Sequence, residues 1–211
     1  MEKSNWFLIG GAIIVVIVII AVFMSGMGST VQRSRPEYGQ GLSPGQGQGT
    51  GPGANYPALL PPSETTPLTV TETADILFIR EEEQLARDLY IRWAGMYSIP
   101  VFSNIAASET MHISGVQQLI DRYGLRDNRV GNASSGFSDP VIQSLYTTLV
   151  VQGDGSLTGA LEASLAVEER DIADLDRTLA NTTRTDIIQV YSNLRRGSEN
   201  HKSAFLRQLG R

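Results

Sequence analysis

The sequence predicts an all-α protein: a four-helix bundle with one extra short helix. Three observations carry that expectation. From Thr71 to the C-terminus apolar residues recur at helical spacing, and no segment alternates apolar and polar side chains over a strand's length. Helix-start residues and glycine stops divide this stretch into four long helices and a short one. Both histidines of the chain, His112 and His201, fall within apolar stripes, as do Glu83, Glu109 and Glu168. A bundle that turns such groups inward must neutralise them, and a bound metal ion is a common solution for carboxylates and imidazoles together.

Composition bounds the classes available. With 211 residues, 41% of them hydrophobic, the chain can hold one ordinary domain plus appendages. Cysteine is absent, which excludes disulfides, thiolate metal sites and cysteine nucleophiles. A net charge of −5 without a basic stripe argues against nucleic acid as a partner.

Taken in order, residues 1–5 form an N-terminal tail. Trp6 to Met24 is an unbroken apolar and glycine run, and roughly 20 such residues cover a bilayer's hydrocarbon core. The run is longer than a signal-peptide core, and Met24-Ser25-Gly26-Met27 is a poor cleavage site, so a retained single-pass transmembrane helix is expected over 6–24 rather than a cleaved leader. Lys3 precedes it while Arg33 and Arg35 follow, so positive charge leaves the orientation open. Residues 25–70 become rich in Gly, Pro, Ser, Gln and Thr, with too little apolar surface to offset ordering, and predict a flexible linker. A short tail and a long uncharged tether fit a domain held outside the cytoplasm, although a cytoplasmic domain on a leash has the same signature.

The helical domain is expected over 71–211. Thr71 or Thr73 caps a first helix to about Ala94, which the Ser98-Ile99-Pro100 turn ends. A second helix starts near Ser103 and stops after Tyr123 at Gly124. Beyond a polar loop over Gly131 to Gly136, Ser138-Asp139-Pro140 opens the short helix, closed by Gly153. Ser156 caps a helix to about Leu179, and Thr183 or Thr185 begins the last, which reaches Gln208.

At 100° per residue Glu83 shares a face with Ile76, Ile79, Ala86, Tyr90 and Trp93. Glu82 lies at the edge of that face, and Glu81 points away as a solvated charge. In the second helix Glu109 and His112 stand one turn apart among Ile105, Ile113 and Val116, so the two can converge on one ion. The next long helix places Glu168 inward with Leu157, Leu161, Leu165, Ile172 and Leu175, and Asp171 on the border. The last groups His201 with Val190, Leu194, Gly197 and Phe205, and sets Glu199 almost opposite.

Glu83 to Tyr90 and the Glu-x-x-His of Glu109 and His112 are similar to the first and second helices of ferritin-like proteins. More closely, Arg80-Glu81-Glu82-Glu83, Pro100 to Ala106, Asp171-Ile172-Ala173-Asp174-Leu175 and Gly197-Ser198-Glu199-Asn200-His201 resemble an uncharacterised ferritin-like family of prokaryotes, domain of unknown function 2202. The likeness spans nearly all of 72–210 and neither the anchor nor the linker. It implies a ferritin-like four-helix bundle with a site for two iron ions, or manganese. Glu83 and Glu168 would be the single carboxylates of their helices, Glu109 the bridging acid, His112 and His201 the imidazoles. Ser198 departs from the pattern, standing where a second bridging glutamate is expected; Asp171, one turn after Glu168, is its candidate replacement.

Carboxylate and imidazole ligands suit iron or manganese, so the leading expectation is Fe(II) oxidation or reduction of oxygen species. The alternative is a metal-free tethered bundle that serves as a surface binding or structural module, with the same acids paired to the histidines. Expected partners are the membrane, metal ions and possible further copies of the chain.

Overall fold

A computed structural model describes residues 60–63, 66–127 and 136–211. The expected tail, the membrane helix over 6–24 and nearly all of the linker lie outside the described residues. Among the described residues no helix is long and apolar enough to cross a membrane.

Five helices follow: α1 Val70–Tyr97, α2 Pro100–Tyr123, α3 Pro140–Asp154, α4 Leu157–Ala180 and α5 Thr185–Gln208. The domain is all-α, as the periodicity predicts. The start of α1 differs from expectation, because Thr69 rather than Thr71 or Thr73 is its cap. Thr69 and Glu72 form a reciprocal capping box, each side chain satisfying the other's backbone amide. At the other end the helix runs three residues past Ala94, and Ser98 takes a left-handed conformation at φ 52° to turn the chain. Pro100 then opens α2, since its ring pre-sets helical φ and its missing N–H costs nothing in the first turn. Asp139 caps α3 and Ser156 caps α4 through their side chains.

Cross-helix contacts fix the topology. Asp75 pairs with Arg177 and Glu82 with Arg170, both at 2.9 Å, and Tyr90 bonds Glu168, so α1 and α4 run antiparallel. Tyr123 with Asp186, and Ser108 with His201, make α2 and α5 antiparallel too. With α1–α2 and α4–α5 as hairpins, α1 and α5 point one way while α2 and α4 point the other. The α2–α4 connection must therefore travel the length of the bundle, and α3 lies within it.

That crossover lies along the outer side of α1. The Glu81 carboxylate accepts the backbone N–H groups of Ser138 and Asp139, at 3.0 and 2.9 Å, where α3 begins. At the end of α3, Tyr97 donates to the Gly153 carbonyl at 2.6 Å and Arg92 pairs with Asp154. Gly153 leaves room for the Trp93 ring, which would stand 2.2 Å from a β-carbon there. Glu81 is consequently buried, not solvated as its position opposite the apolar stripe predicts. The helical-wheel argument fails because α1 is covered on two sides. Leu157 is likewise displaced from its expected core position and is 37% exposed, since it sits in the first turn of α4.

The interior has two apolar layers. One gathers Tyr90, Trp93, Phe102, Ala160, Leu161 and Phe205 with their neighbours. The other gathers Ile76, Ile79, Val116, Leu119, Leu175, Val190 and Leu194. On each of the four long helices the sequence passes from one layer to the other through a polar stretch: Glu83, Glu109–His112, Glu168–Asp171 and Ser198–His201. A slab of ionisable side chains thus lies inside the bundle between two dry layers.

Candidate metal centre

Of the six sequence-predicted residues, Glu83, Glu109, His112, Glu168, Asp171 and His201, every one is buried, at 7% exposure or less. Glu109 is the centre of the group. One of its carboxylate oxygens lies 2.8 Å from His112 Nδ1 and the other 2.8 Å from His201 Nδ1. His112 Nδ1 also lies 3.0 Å from Glu83 Oε2, and His201 Nδ1 lies 3.6 Å from Glu168 Oε2. The two imidazoles stack, 5.3 Å between ring centres and 26° between planes, so both Nδ1 atoms face the same carboxylate. Glu109, His112 and His201 form a buried group that can hold a metal ion, with donor atoms all within 4.8 Å of one another.

Supporting contacts fix these ligands from behind. Tyr90 donates to Glu168 Oε1 at 2.6 Å, anchoring one carboxylate oxygen and leaving the other free to face His201. His201 Nε2 lies 2.9 Å from Ser108 Oγ, which orients the ring with Nδ1 inward. Behind His112 stands Gly197, where an added β-carbon would lie 2.3 Å from Nε2. Neither Ser108 nor the part played by Gly197 emerged from the sequence. A glycine inside an apolar helical stripe was nonetheless a readable signal of close approach, because it costs about 1 kcal/mol relative to Ala unless something needs the space. Glu199, by contrast, is exposed and pairs with Arg195 at 2.9 Å, as its position opposite His201 predicts.

The electrostatics are those of a crowded acid site. Burial pushes the Glu83 carboxyl up to about 8 against the pull of His112. Burial opposes charge on His201 too, but the neighbouring Glu109 and Glu168 outweigh it and push the imidazole up to about 10. Glu109 goes the other way: despite burial, His201 and His112 hold it below the usual carboxylate range. Burial, then Glu83 and Glu168, raise Asp171 well above its ordinary value. Without an ion, the group therefore stores protons on its imidazoles and outer acids.

The donor atoms also fit a cation on geometric grounds. Glu83 Oε1, Glu109 Oε1, Asp171 Oδ1 and His201 Nδ1 are buried without a hydrogen-bond partner. His201 Nδ1 and Glu109 Oε1 approach within 2.8 Å yet are not aligned as donor and acceptor. Once the imidazole has given up its proton, these two atoms side by side are a donor pair that one cation can share.

Residues 72–211 match the model of a family described as an uncharacterized protein domain, DUF2202. The chain is similar to the uncharacterized protein MJ0754 of Methanocaldococcus jannaschii, 38% identical over 143 residues, covering 68% of this chain and 77% of the relative. The crystal structure of that hypothetical protein superposes with a TM-score of 0.67, covering 70% of this chain and 84% of the other.

Proposed function

From a chain that belongs to the uncharacterised DUF2202 family and carries a buried Glu/His/His group able to bind metal, we propose a membrane-anchored ferritin-like metalloprotein that holds iron or manganese within its bundle. The observation that carries this reading is the pair of Nδ1 atoms set against the two oxygens of Glu109. Glu109 with His112 and His201 would hold the ion or ions, and Glu83 and Glu168 would complete the donor set. When bound, iron or manganese at such ligands supplies one-electron redox chemistry toward oxygen species.

The chain's own residues favour that chemistry in definite ways. The two apolar layers exclude bulk water from the slab between them. Glu83 and His201 release protons as a cation arrives, so loading replaces stored protons by metal charge. Tyr90 keeps the Glu168 carboxylate in one orientation throughout. Oxidation of Fe(II), or reduction of dioxygen or peroxide, is the activity proposed. The apolar run at 6–24 would hold the domain at a membrane surface, on the extracytoplasmic side, at the end of the linker.

Anaerobic titration with Fe(II) and with Mn(II) tests the reading. The wild-type chain should bind at least one ion, and Glu109→Ala should abolish binding, because it removes the carboxylate that both imidazoles face. A wild-type chain that binds neither ion would leave the metal-free surface module as the better reading.

A further inference from the structure

Resting on the metal reading, one departure from the ferritin-like pattern becomes informative. Ser198 stands on α5 three residues before His201, where a second bridging carboxylate is expected. Its hydroxyl is buried and shared between the Asp171 carboxylate and the Leu194 carbonyl. Asp171 is therefore held through Oδ2 by a serine that replaces an acid. Its other oxygen, Oδ1, is buried and has no hydrogen-bond partner. Asp171 is itself buried and stands one turn after Glu168 on α4, within the same polar stretch between the two apolar layers.

Charge gives an independent reason for a fourth acid. Once the imidazoles are neutral ligands, Glu83, Glu109 and Glu168 offset three positive charges, whereas two divalent ions bring four. In a water-poor interior an unmatched charge is strongly disfavoured. The Arg170 guanidinium is engaged elsewhere, with Glu82 at 2.9 Å and Asp174 at 3.5 Å, and does not consume the charge of Asp171.

We propose that Asp171, held by Ser198, supplies from α4 the fourth carboxylate of a two-ion site, in place of the bridging acid missing from α5. Serine at 198 is then part of the site: a small side chain there makes room for the aspartate, and its hydroxyl orients it. The consequence is an asymmetric centre, with acids drawn unequally from the two hairpins.

The test is stoichiometry in the full-length chain, read by anaerobic Fe(II) titration independently of any turnover. The wild-type chain should take two ions. Asp171→Asn, nearly isosteric and uncharged, should take one. Ser198→Ala should keep two but weaken the second about 10- to 100-fold, the usual cost of removing an orienting partner. The double variant Asp171→Ala with Ser198→Glu should recover two ions by restoring an acid on α5 in the space the aspartate vacates, which also guards against loss at position 171 acting only through misfolding; one ion there as well overturns the proposal. One ion in the wild-type chain, or two in Asp171→Asn, overturns the role of Asp171 and leaves the metal reading standing. No ion in the wild-type chain overturns both.

Discussion

Gly197 shapes the candidate site by what it lacks. With no β-carbon it leaves room on α5 for the Nε2–Cε1 edge of the His112 ring, while Nδ1 reaches Glu83 and Glu109. Gly197→Ala should stabilise an isolated helix, since Ala exceeds Gly by about 1 kcal/mol in helix propensity, yet the added carbon would stand 2.3 Å from Nε2. The expected outcome is retained helical content by circular dichroism with Fe(II) or Mn(II) affinity lowered at least about tenfold. Unchanged affinity would mean that the ring's position is not set from behind. The titrating residues make a second prediction. Glu83 is raised from 4.5 to about 8 and His201 from 6.5 to about 10, so both bind protons more tightly folded than unfolded. Each contributes stability that is complete below its unfolded value and lost as pH rises through its folded one. The metal-free protein should therefore lose stability from roughly pH 5 to pH 10, while the loaded protein, whose ligands have already released those protons, should not. Melting temperatures measured across that range should show a gap between the two forms that widens with pH; a constant gap would contradict the assignment.

At the scale of elements, the short helix α3 matters more than its length implies. It covers the outer side of α1, and Glu81 ties its beginning in place with two backbone amides. Hydrogen bonds to a charged group contribute about 1.5–3 kcal/mol net, and water can reach the amides of the exposed Ser138 and half-buried Asp139 once they are freed, so Glu81→Ala should destabilise the domain by roughly 1–3 kcal/mol. Glu199→Ala, on an exposed surface, should stay within about 0.5 kcal/mol. Chemical denaturation of both variants checks the contrast, and equal effects would mean that α3 is not anchored through Glu81. This pair also marks how far the sequence was legible. Inward positions on the four long helices follow from a 3.6-residue period, because each of those helices turns one stripe to a shared axis, and all six candidate ligands are indeed buried. Glu81 escapes the period because a second covering element, distant in sequence, packs on the opposite side. Thr69 was missed for a local reason: its box partner Glu72 has its signature one register earlier than the apolar stripe begins. Ser108 carries no pattern at all, since a single hydroxyl on a helix flank becomes meaningful only when α5 brings His201 beside it.

For the whole molecule, the bundle contributes its own apolar surface from each helix, and the linker has little to add. Residues 71–211 expressed alone should be folded and soluble, while the full-length chain should remain with membranes through high-salt and carbonate washes, because a buried apolar run is not displaced by screening charge. An unfolded fragment, or release of the full-length chain by salt, would count against the corresponding boundary. The slab of acids and histidines between the two apolar layers bears on the folding of the whole bundle. Each layer has enough large side chains, Trp93 and Phe102 on one side, Ile79 and Leu119 on the other, to act as its own cooperative unit. What joins them in the absence of an ion is the Glu109 carboxylate between two imidazoles, a seam that depends on the protons it holds. In the proposed loaded form, a cation held by side chains of all four long helices would turn that seam into a cross-link between the layers. Amide exchange should then show two protection classes, one per layer, in the metal-free chain, and a single class once the ion is in place. Loading would be registered as a change in cooperativity along the full length of every helix, far from the ligands themselves.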